Sequence, residues 1–329
     1  MLKLINVNKD DVRVFNNIAI EIASKCNRTC YFCPNGCNTQ EDVYMNMQLI
    51  ENCLHQLAEI KYRGRIEWYI YNEPTRDKRL LQIVKLAKKL IPGACQMINT
   101  NGDYFKTYED IKKLYDAGIN QMQINVYSSN DGSTDIEKFN KGVEFAKLRE
   151  IKLNQFLDKC NIDRGLSLYQ NIGPRKKAGL VVKKYGISRT IKDSEVQGSN
   201  GFTNRSGNVE EFRDALFEPI KKHCTRPFRF LNINYKGDGI LCCNDYHGKT
   251  NFGNIKEKTL LEIWNDAAFN IYRLKLQNKD RACFLCDKCD FNGGYYPHMI
   301  DNVTFGIEQD KKILNTDLTT IEKIKNYEL

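Results

Sequence analysis

No run of eighteen apolar residues occurs in this chain, and the opening Met1-Leu2-Lys3-Leu4-Ile5-Asn6 lacks the apolar core of a secretory signal. Both absences argue against a membrane or secreted protein and place the chain in the cytoplasm. A basic run interleaved with aromatics is missing too, so nucleic acid is not the expected partner despite a formal net charge of +9. Nor are the thirteen cysteines spread as a disulfide framework would spread them. They gather mainly in two tight groups near the ends of a 329-residue chain, which fits metal sites in a reducing compartment better. What is present suffices for one large domain plus a smaller one, with 41% hydrophobic residues to supply a core. The excess of basic charge reads either as a solvated surface, with Lys85, Lys88 and Lys89 on the polar side of a helical pattern, or as attraction for an anionic substrate such as a nucleotide or phosphorylated sugar.

The first cysteine group is Cys26-Asn27-Arg28-Thr29-Cys30-Tyr31-Phe32-Cys33. It follows the apolar run Ile18 to Ala23, which reads as a buried strand, so three thiols leave that strand on one loop. Thiolates so crowded repel one another unless they share a metal, and soft sulfur ligands favour iron-sulfur clusters or zinc. Three protein ligands also leave a metal position open, the mark of a reactive site rather than a structural one. The second group begins at Cys224. An alternating strand, Phe228 to Asn234, turns through Tyr235-Lys236-Gly237-Asp238-Gly239 and returns to Cys242-Cys243, and after a short helix comes Cys283-x2-Cys286-x2-Cys289. A hairpin brings its ends together, so Cys224 and Cys242 can meet a later Cys-x2-Cys pair. Four sulfurs suit zinc or an iron-sulfur cluster alike.

Between the groups, helical spacing at Met47, Ile50, Leu54, Leu57 and Ile60, at Leu80 to Leu90, around Ile111 to Tyr115 and at Ile136 to Leu148 alternates with strand-like runs at Ile66 to Tyr71, Gln96 to Thr100, Gln123 to Tyr127 and Ile151 to Leu157. Strands recurring about every thirty residues with helices between them imply a parallel sheet, either an open doubly wound sheet or a barrel. Both place ligands at the carboxyl ends of the strands. The Gly- and Ser-rich stretch Gly198 to Gly207 reads as a linker, or as a cover over the mouth with Arg205 meeting an anionic group.

Cys-x3-Cys-x2-Cys after a first strand, with an aromatic residue before the third cysteine, resembles the radical S-adenosylmethionine (radical SAM) enzymes. The resemblance selects an α/β fold: a partial (β/α)6 TIM-like barrel over residues 15–195, followed by a small β-hairpin plus helix iron-sulfur domain over 224–295. A linker or lid at 196–223 and a charged tail at 296–329 complete the division. It implies that Cys26, Cys30 and Cys33 hold a 4Fe-4S cluster whose open iron binds S-adenosylmethionine. Glu73 and, less directly, Asn72 stand where relatives hold the methionyl amine, although the usual two glycines before the glutamate are replaced by Tyr71 and Asn72. Thr100, Asn101 and Ser128 fall where relatives offer polar groups to the carboxylate and ribose, and Phe32 falls beside the adenine. The C-terminal cysteines, with Gly253-Asn254-Ile255 and Thr259 to Trp264, look like the SPASM extension or its shorter twitch form. Six cysteines instead of seven favour the short form, with one auxiliary 4Fe-4S cluster on Cys224, Cys242, Cys286 and Cys289; Cys243 and Cys283 are the alternative ligands.

By this resemblance, an external donor such as flavodoxin or ferredoxin reduces the first cluster. Cleavage of S-adenosylmethionine then removes a hydrogen atom from the substrate, and the auxiliary cluster relays an electron. The expected substrate is a small polar metabolite, a sugar, aminosugar or nucleotide, and the outcome dehydrogenation or epimerisation. Because fewer than twenty residues precede the first strand, no N-terminal peptide-recognition domain is expected, although a peptide-modifying maturase is an alternative. Outside the enzyme class stand an iron-sulfur electron carrier, with Cys37 closing the first site, and a zinc-bearing binding protein.

Overall fold

The computed structural model describes residues 15–30, 33–37, 41–127, 166–171, 204–209 and 218–291. Phe32, Ser128, the expected helix and strand over 136–157 and the tail all lie outside them.

Five strands step outward in chain order. β1 (Asn17–Ile20) pairs in parallel with β2 (Arg65–Glu67), β2 with β3 (Cys95–Thr100), β3 with β4 (Ile119–Tyr127), and β4 with β5 (Leu166–Asn171). A parallel sheet that grows in one direction, each strand beside its predecessor, curls towards a barrel; a doubly wound sheet would reverse direction part-way. The helices α2 (Met47–Glu59), α3 (Leu80–Leu90) and α4 (Tyr108–Ala117) form the connections among β1 to β4. Each turns an apolar stripe inward: Ile50, Leu54 and Leu57 of α2, Ile83 and Val84 of α3 and Ile111 of α4 are fully buried with Ile18, Ile20, Ile66 and Ile98 of the strands. The buried Trp68 donates to Gln96, whose amide in turn donates to the Val84 carbonyl (3.0 Å each), so no polar atom of that pair is stranded. α4 stops at Gly118, whose φ of 131° only glycine adopts readily.

The opposite strand face is different in kind. Asn17, Ala19, Glu67, Asn99 and Asn232 occupy alternate positions to the isoleucines, and four of these five line a cavity. A closed barrel fills its interior with bulky branched residues. Here small and polar side chains leave room inside.

The C-terminal hairpin is not a separate appendage. Its first strand, β6 (Phe230–Ile233), lies parallel to β1 on the edge away from β2, in register from Asn17↔Phe230 to Ile20↔Ile233, and β7 (Gly239–Ile240) folds back antiparallel to it. The sheet therefore runs β5-β4-β3-β2-β1-β6-β7. The helices α5 (Leu260–Trp264) and α6 (Ala267–Gln277) follow, the second unforeseen in the sequence. This segment docks on α2, where Asn52 donates to the Ile255 carbonyl and Gln56 accepts from the Leu260 amide.

Two elements differ from expectation for local reasons. β2 ends at Glu67 rather than Tyr71, because the Asn72 side chain accepts from the Ile70 amide and donates to the Trp68 carbonyl, curling the chain out of the ladder. β5 falls at 166–171, where scattered glycines had obscured the pattern. Among the described residues, no helix is long and apolar enough to cross a membrane.

Candidate active site between two cysteine clusters

The loop after β1 carries Cys26, Cys30 and Cys33 into one cavity of about 480 Å³. A one-turn helix, α1 (Pro34–Cys37), supports it from beneath. Gly36 lies so close that a Cβ there would come within 2.3 Å of the Cys30 carbonyl oxygen and 2.7 Å of its nitrogen. Only glycine lets the turn press against the loop. Burial pushes the Cys26 and Cys30 thiols up to about 12 and raises Cys33 as well. Thiols in that setting become thiolates only beside a strong positive charge, which the irons of a cluster provide.

The polar residues expected around the cofactor are drawn together. Glu73, buried at the carboxyl end of the β2 loop, accepts from Thr100 Oγ1 (2.6 Å) and from the amides of Thr75 (3.0 Å) and Asn101 (2.7 Å). The contacts from Thr75 and Thr100 crowd Oε1, whereas Oε2 takes only the Asn101 amide and keeps acceptor capacity toward the cavity. Burial raises the Glu73 carboxyl despite these bonds, so a bound ammonium would restore its charge. The Asn101 amide group donates to Cys26 Sγ (3.7 Å) and Asn27 Oδ1 (2.8 Å). Asn72 lines the same cavity, but its side chain is committed to the Ile70 and Trp68 backbone.

Arg28 was not singled out in the sequence. Its buried guanidinium makes a bidentate pair with Asp103 (2.7 and 2.8 Å), and Asn27 donates to the same carboxylate, clamping the cysteine loop to the β3 loop. The partners are 75 residues apart, a separation that no local pattern reveals.

The second cysteine group shares the cavity with the first, since Cys242 and Cys243 line it too. Behind that wall, Cys224, Cys242, Cys286 and Cys289 surround one small internal space; Cys243 turns to the large cavity instead, and Cys283 lies against Cys286. Burial raises Cys224 and Cys242, and contact with Cys283 together with burial raises Cys286. Asn244, fully buried, donates its backbone amide to Cys242 Sγ (3.4 Å) and its side chain to Cys289 Sγ (3.3 Å). The charge of Arg226 acts on the same cysteines while its guanidinium lies 3.5 Å from the Phe291 ring centre.

The segment 204–209 is held on this second site. Asn204 bonds the Asp290 carboxylate through its backbone amide and the Lys288 carbonyl through its side chain, and Asn208 reaches the Asn244 carbonyl. Arg205, with φ of 51°, lines the cavity near Tyr71, Cys243 and Cys33.

The strand-end loop with three thiols, the buried glutamate beside it and the further cysteines around the small space behind the cavity lie in two matched domains, and the chain carries a radical SAM domain followed by a SPASM-type extension. Residues 20–152 match the radical SAM superfamily, and residues 224–290 match the iron-sulfur cluster-binding domain SPASM. Its cofactors are S-adenosylmethionine and iron-sulfur clusters, and it is an enzyme. The chain is 25% identical over 280 residues to an S-adenosyl-L-methionine-dependent 2-deoxy-scyllo-inosamine dehydrogenase of Niallia circulans, covering 84% of this chain and 94% of that protein. In fold it is similar to BtrN crystallised in complex with AdoMet and 2-DOIA (TM-score 0.61, 22% identity, 86% of this chain and 97% of that one). BtrN in an open conformation gives a TM-score of 0.54 at 21% identity, covering 86% and 99%.

Proposed function

We propose that this enzyme dehydrogenates a small, polyhydroxylated metabolite of the aminosugar class, converting a secondary alcohol to a carbonyl. One observation carries the reading: a single cavity is lined both by the three-thiol loop and by Cys242-Cys243. A substrate lodged there would have a C–H bond within reach of one centre and, once that hydrogen atom was removed, could give up an electron to the other. The dehydrogenase of Niallia circulans, with its aminocyclitol substrate, supports the substrate class.

In this reading Cys26, Cys30 and Cys33 hold the cluster that binds S-adenosylmethionine, and Cys224, Cys242, Cys286 and Cys289 hold one auxiliary 4Fe-4S cluster. When bound, these groups supply one-electron hydrogen-atom abstraction and one-electron uptake, and with loss of the hydroxyl proton they account for both hydrogens removed from the alcohol. Glu73 receives the cofactor's amine through Oε2, and Thr100 and Asn101 fix that carboxylate. Asn101, through Cys26, and Asn244, through Cys242 and Cys289, place N–H groups on thiolate sulfurs and so steady each cluster's charge. Arg205 and Arg226 offset thiolate charge on the facing walls. Flavodoxin or ferredoxin delivers the first electron, in the cytoplasm, where thiols stay reduced.

The test is anaerobic reconstitution and incubation with S-adenosylmethionine, dithionite and 2-deoxy-scyllo-inosamine or related aminocyclitols. The reading requires about eight irons per chain, formation of 5'-deoxyadenosine, and a product lighter by two hydrogens. A cleaving enzyme that returned these alcohols with inverted configuration would be an epimerase instead.

A further inference from the structure

The cavity also has a floor, and an arginine lies in it. Arg229 precedes β6 at a level below Asn17, whose amide donates to the Arg229 carbonyl (2.9 Å), so it sits at the amino-terminal end of the sheet. With about 3.3 Å per residue, it lies roughly 13 Å of strand below the loop that carries the cysteines. Its side chain lines the cavity, yet the residue is only 9% exposed, and its Nε has no hydrogen-bond partner among the described residues. Asn232, 3% exposed on the inward face of β6, likewise leaves its side-chain Nδ2 unpartnered.

Two buried donors without acceptors, on residues that both line one cavity, are costly unless a ligand answers them as the side chains adjust to it. The neighbours do not. Glu67 lines the same cavity, but its Oε1 already accepts from Asn17 (3.1 Å) and Arg65 (3.4 Å). Burial lowers the Arg229 guanidinium, and the nearby Arg65, itself paired with Glu67, adds to that effect. Nor is Arg229 a counter-charge for the clusters: cysteines act on Arg205 and Arg226, and none is among the groups that act on Arg229.

We infer that Arg229 and Asn232 form a subsite for an oxyanion, a phosphate or carboxylate carried on the end of the substrate remote from the reacting carbon. This rests on the reading above, in which the reacting carbon lies near the cysteine walls. It goes further by specifying a substrate with an acidic tail directed down the barrel, distinct from a bare aminocyclitol ring. A guanidinium offers two parallel N–H donors to such a group, and the Asn232 amide supplies another from the adjoining strand face.

The experiment is calorimetric titration of the reconstituted holoenzyme, with S-adenosylmethionine present, using four probes: glucosamine, glucosamine 6-phosphate, glucuronate and inorganic phosphate. The subsite predicts that at least one acidic sugar binds about tenfold or more tighter than glucosamine. The phosphate and carboxylate arms then identify the oxyanion, and inorganic phosphate competes if phosphate is preferred. Arg229→Gln should erase the preference, with iron content and melting temperature as controls for folding. Asn232→Asp, which sets a negative charge at the same place, should reverse it if Arg229→Gln does not fold. Equal binding of neutral and acidic sugars by the unaltered enzyme overturns the inference. That result would leave the radical SAM reading intact, because cleavage of S-adenosylmethionine is measured separately and does not depend on which sugar binds.

Discussion

The Tyr246 hydroxyl donates to Asn35 Oδ1 at 3.3 Å, joining the loop behind Cys242 to the turn behind Cys33. Asn35 in turn donates to the Tyr71 carbonyl (3.0 Å), and the Tyr71 and Tyr246 rings meet edge-on at 5.0 Å. The two cysteine sites are thus fastened together by side chains from three segments. Tyr246→Phe keeps the ring contact and strands Asn35 Oδ1, a loss of about 1–2 kcal/mol. We expect a lower melting temperature with iron content preserved. Because the variant loosens the spacing between the sites, the ratio of 5'-deoxyadenosine to oxidised product should rise, which paired chromatographic assays measure.

The two clusters should fail in different ways. Cys30→Ala removes one of three ligands from the proposed cofactor site and should abolish cleavage of S-adenosylmethionine. Cys286→Ala removes a proposed ligand of the auxiliary cluster and should spare cleavage while stopping product formation. Normal turnover by the Cys286 variant would falsify the electron-relay role.

Gly36→Ala tests the packing beneath the first loop. Its Cβ would collide with backbone atoms of Thr29 and Cys30, which have no rotamer to change. The loop must therefore move, and we expect loss of roughly half the iron, with the electron paramagnetic resonance signal that responds to S-adenosylmethionine weakened selectively. Gly93→Ala, which meets nothing closer than 3.5 Å, serves as the control.

Residues that act close to their own motif were readable in the sequence; those that act across the sheet were not. The spacing of Cys26, Cys30 and Cys33, and the Glu73-Pro74 pair, announce themselves because each function lies within a few residues. Thr100 and Asn101, expected beside the cofactor, line the cavity, and their bonds to Glu73 were not legible in the sequence. Asn72, expected beside the cofactor, lines the cavity and also shapes its own turn. Arg28 with Asp103, and Asn244 with Cys289, are created only by folding. Arg229 and Asn232 hid in an apolar run that betrayed a strand but not which face would look into a cavity, since that depends on β6 joining β1. A pairing of strands more than two hundred residues apart leaves no periodic trace.

Asn244 should set the potential of the auxiliary site. Its two N–H groups point at Cys242 and Cys289 sulfurs, and such donors favour the more negative, reduced state. Asn244→Leu removes the side-chain donor and should shift the auxiliary midpoint to a more negative value. Asn244→Asp places a carboxylate there and should shift it further in the same direction. Redox titration of the reconstituted variants decides; a positive shift in either contradicts the assignment.

Glu21 ties the site's stability to pH. It ends the β1 region, and its carboxyl accepts from the amides of Tyr71 (3.0 Å) and Tyr235 (3.4 Å), bridging the β2 loop and the hairpin turn. Burial pushes its pKa from 4.5 up to about 8, against the lowering effect of those two bonds. Below pH 4.5 the folded and unfolded chains both carry the proton, so Glu21 makes no difference to stability. Between about pH 4.5 and pH 8 the unfolded chain releases it and the folded chain keeps it, so the folded state loses ground as pH rises. Above pH 8 both are ionised and the loss levels off, having reached on the order of a few kcal/mol. Glu21→Gln cannot ionise, so its unfolding free energy should decline less between pH 5 and 8 than that of the unaltered protein, as denaturant titrations at a series of pH values would measure. Parallel curves for the two proteins would show that water or local opening relieves the burial of this carboxyl.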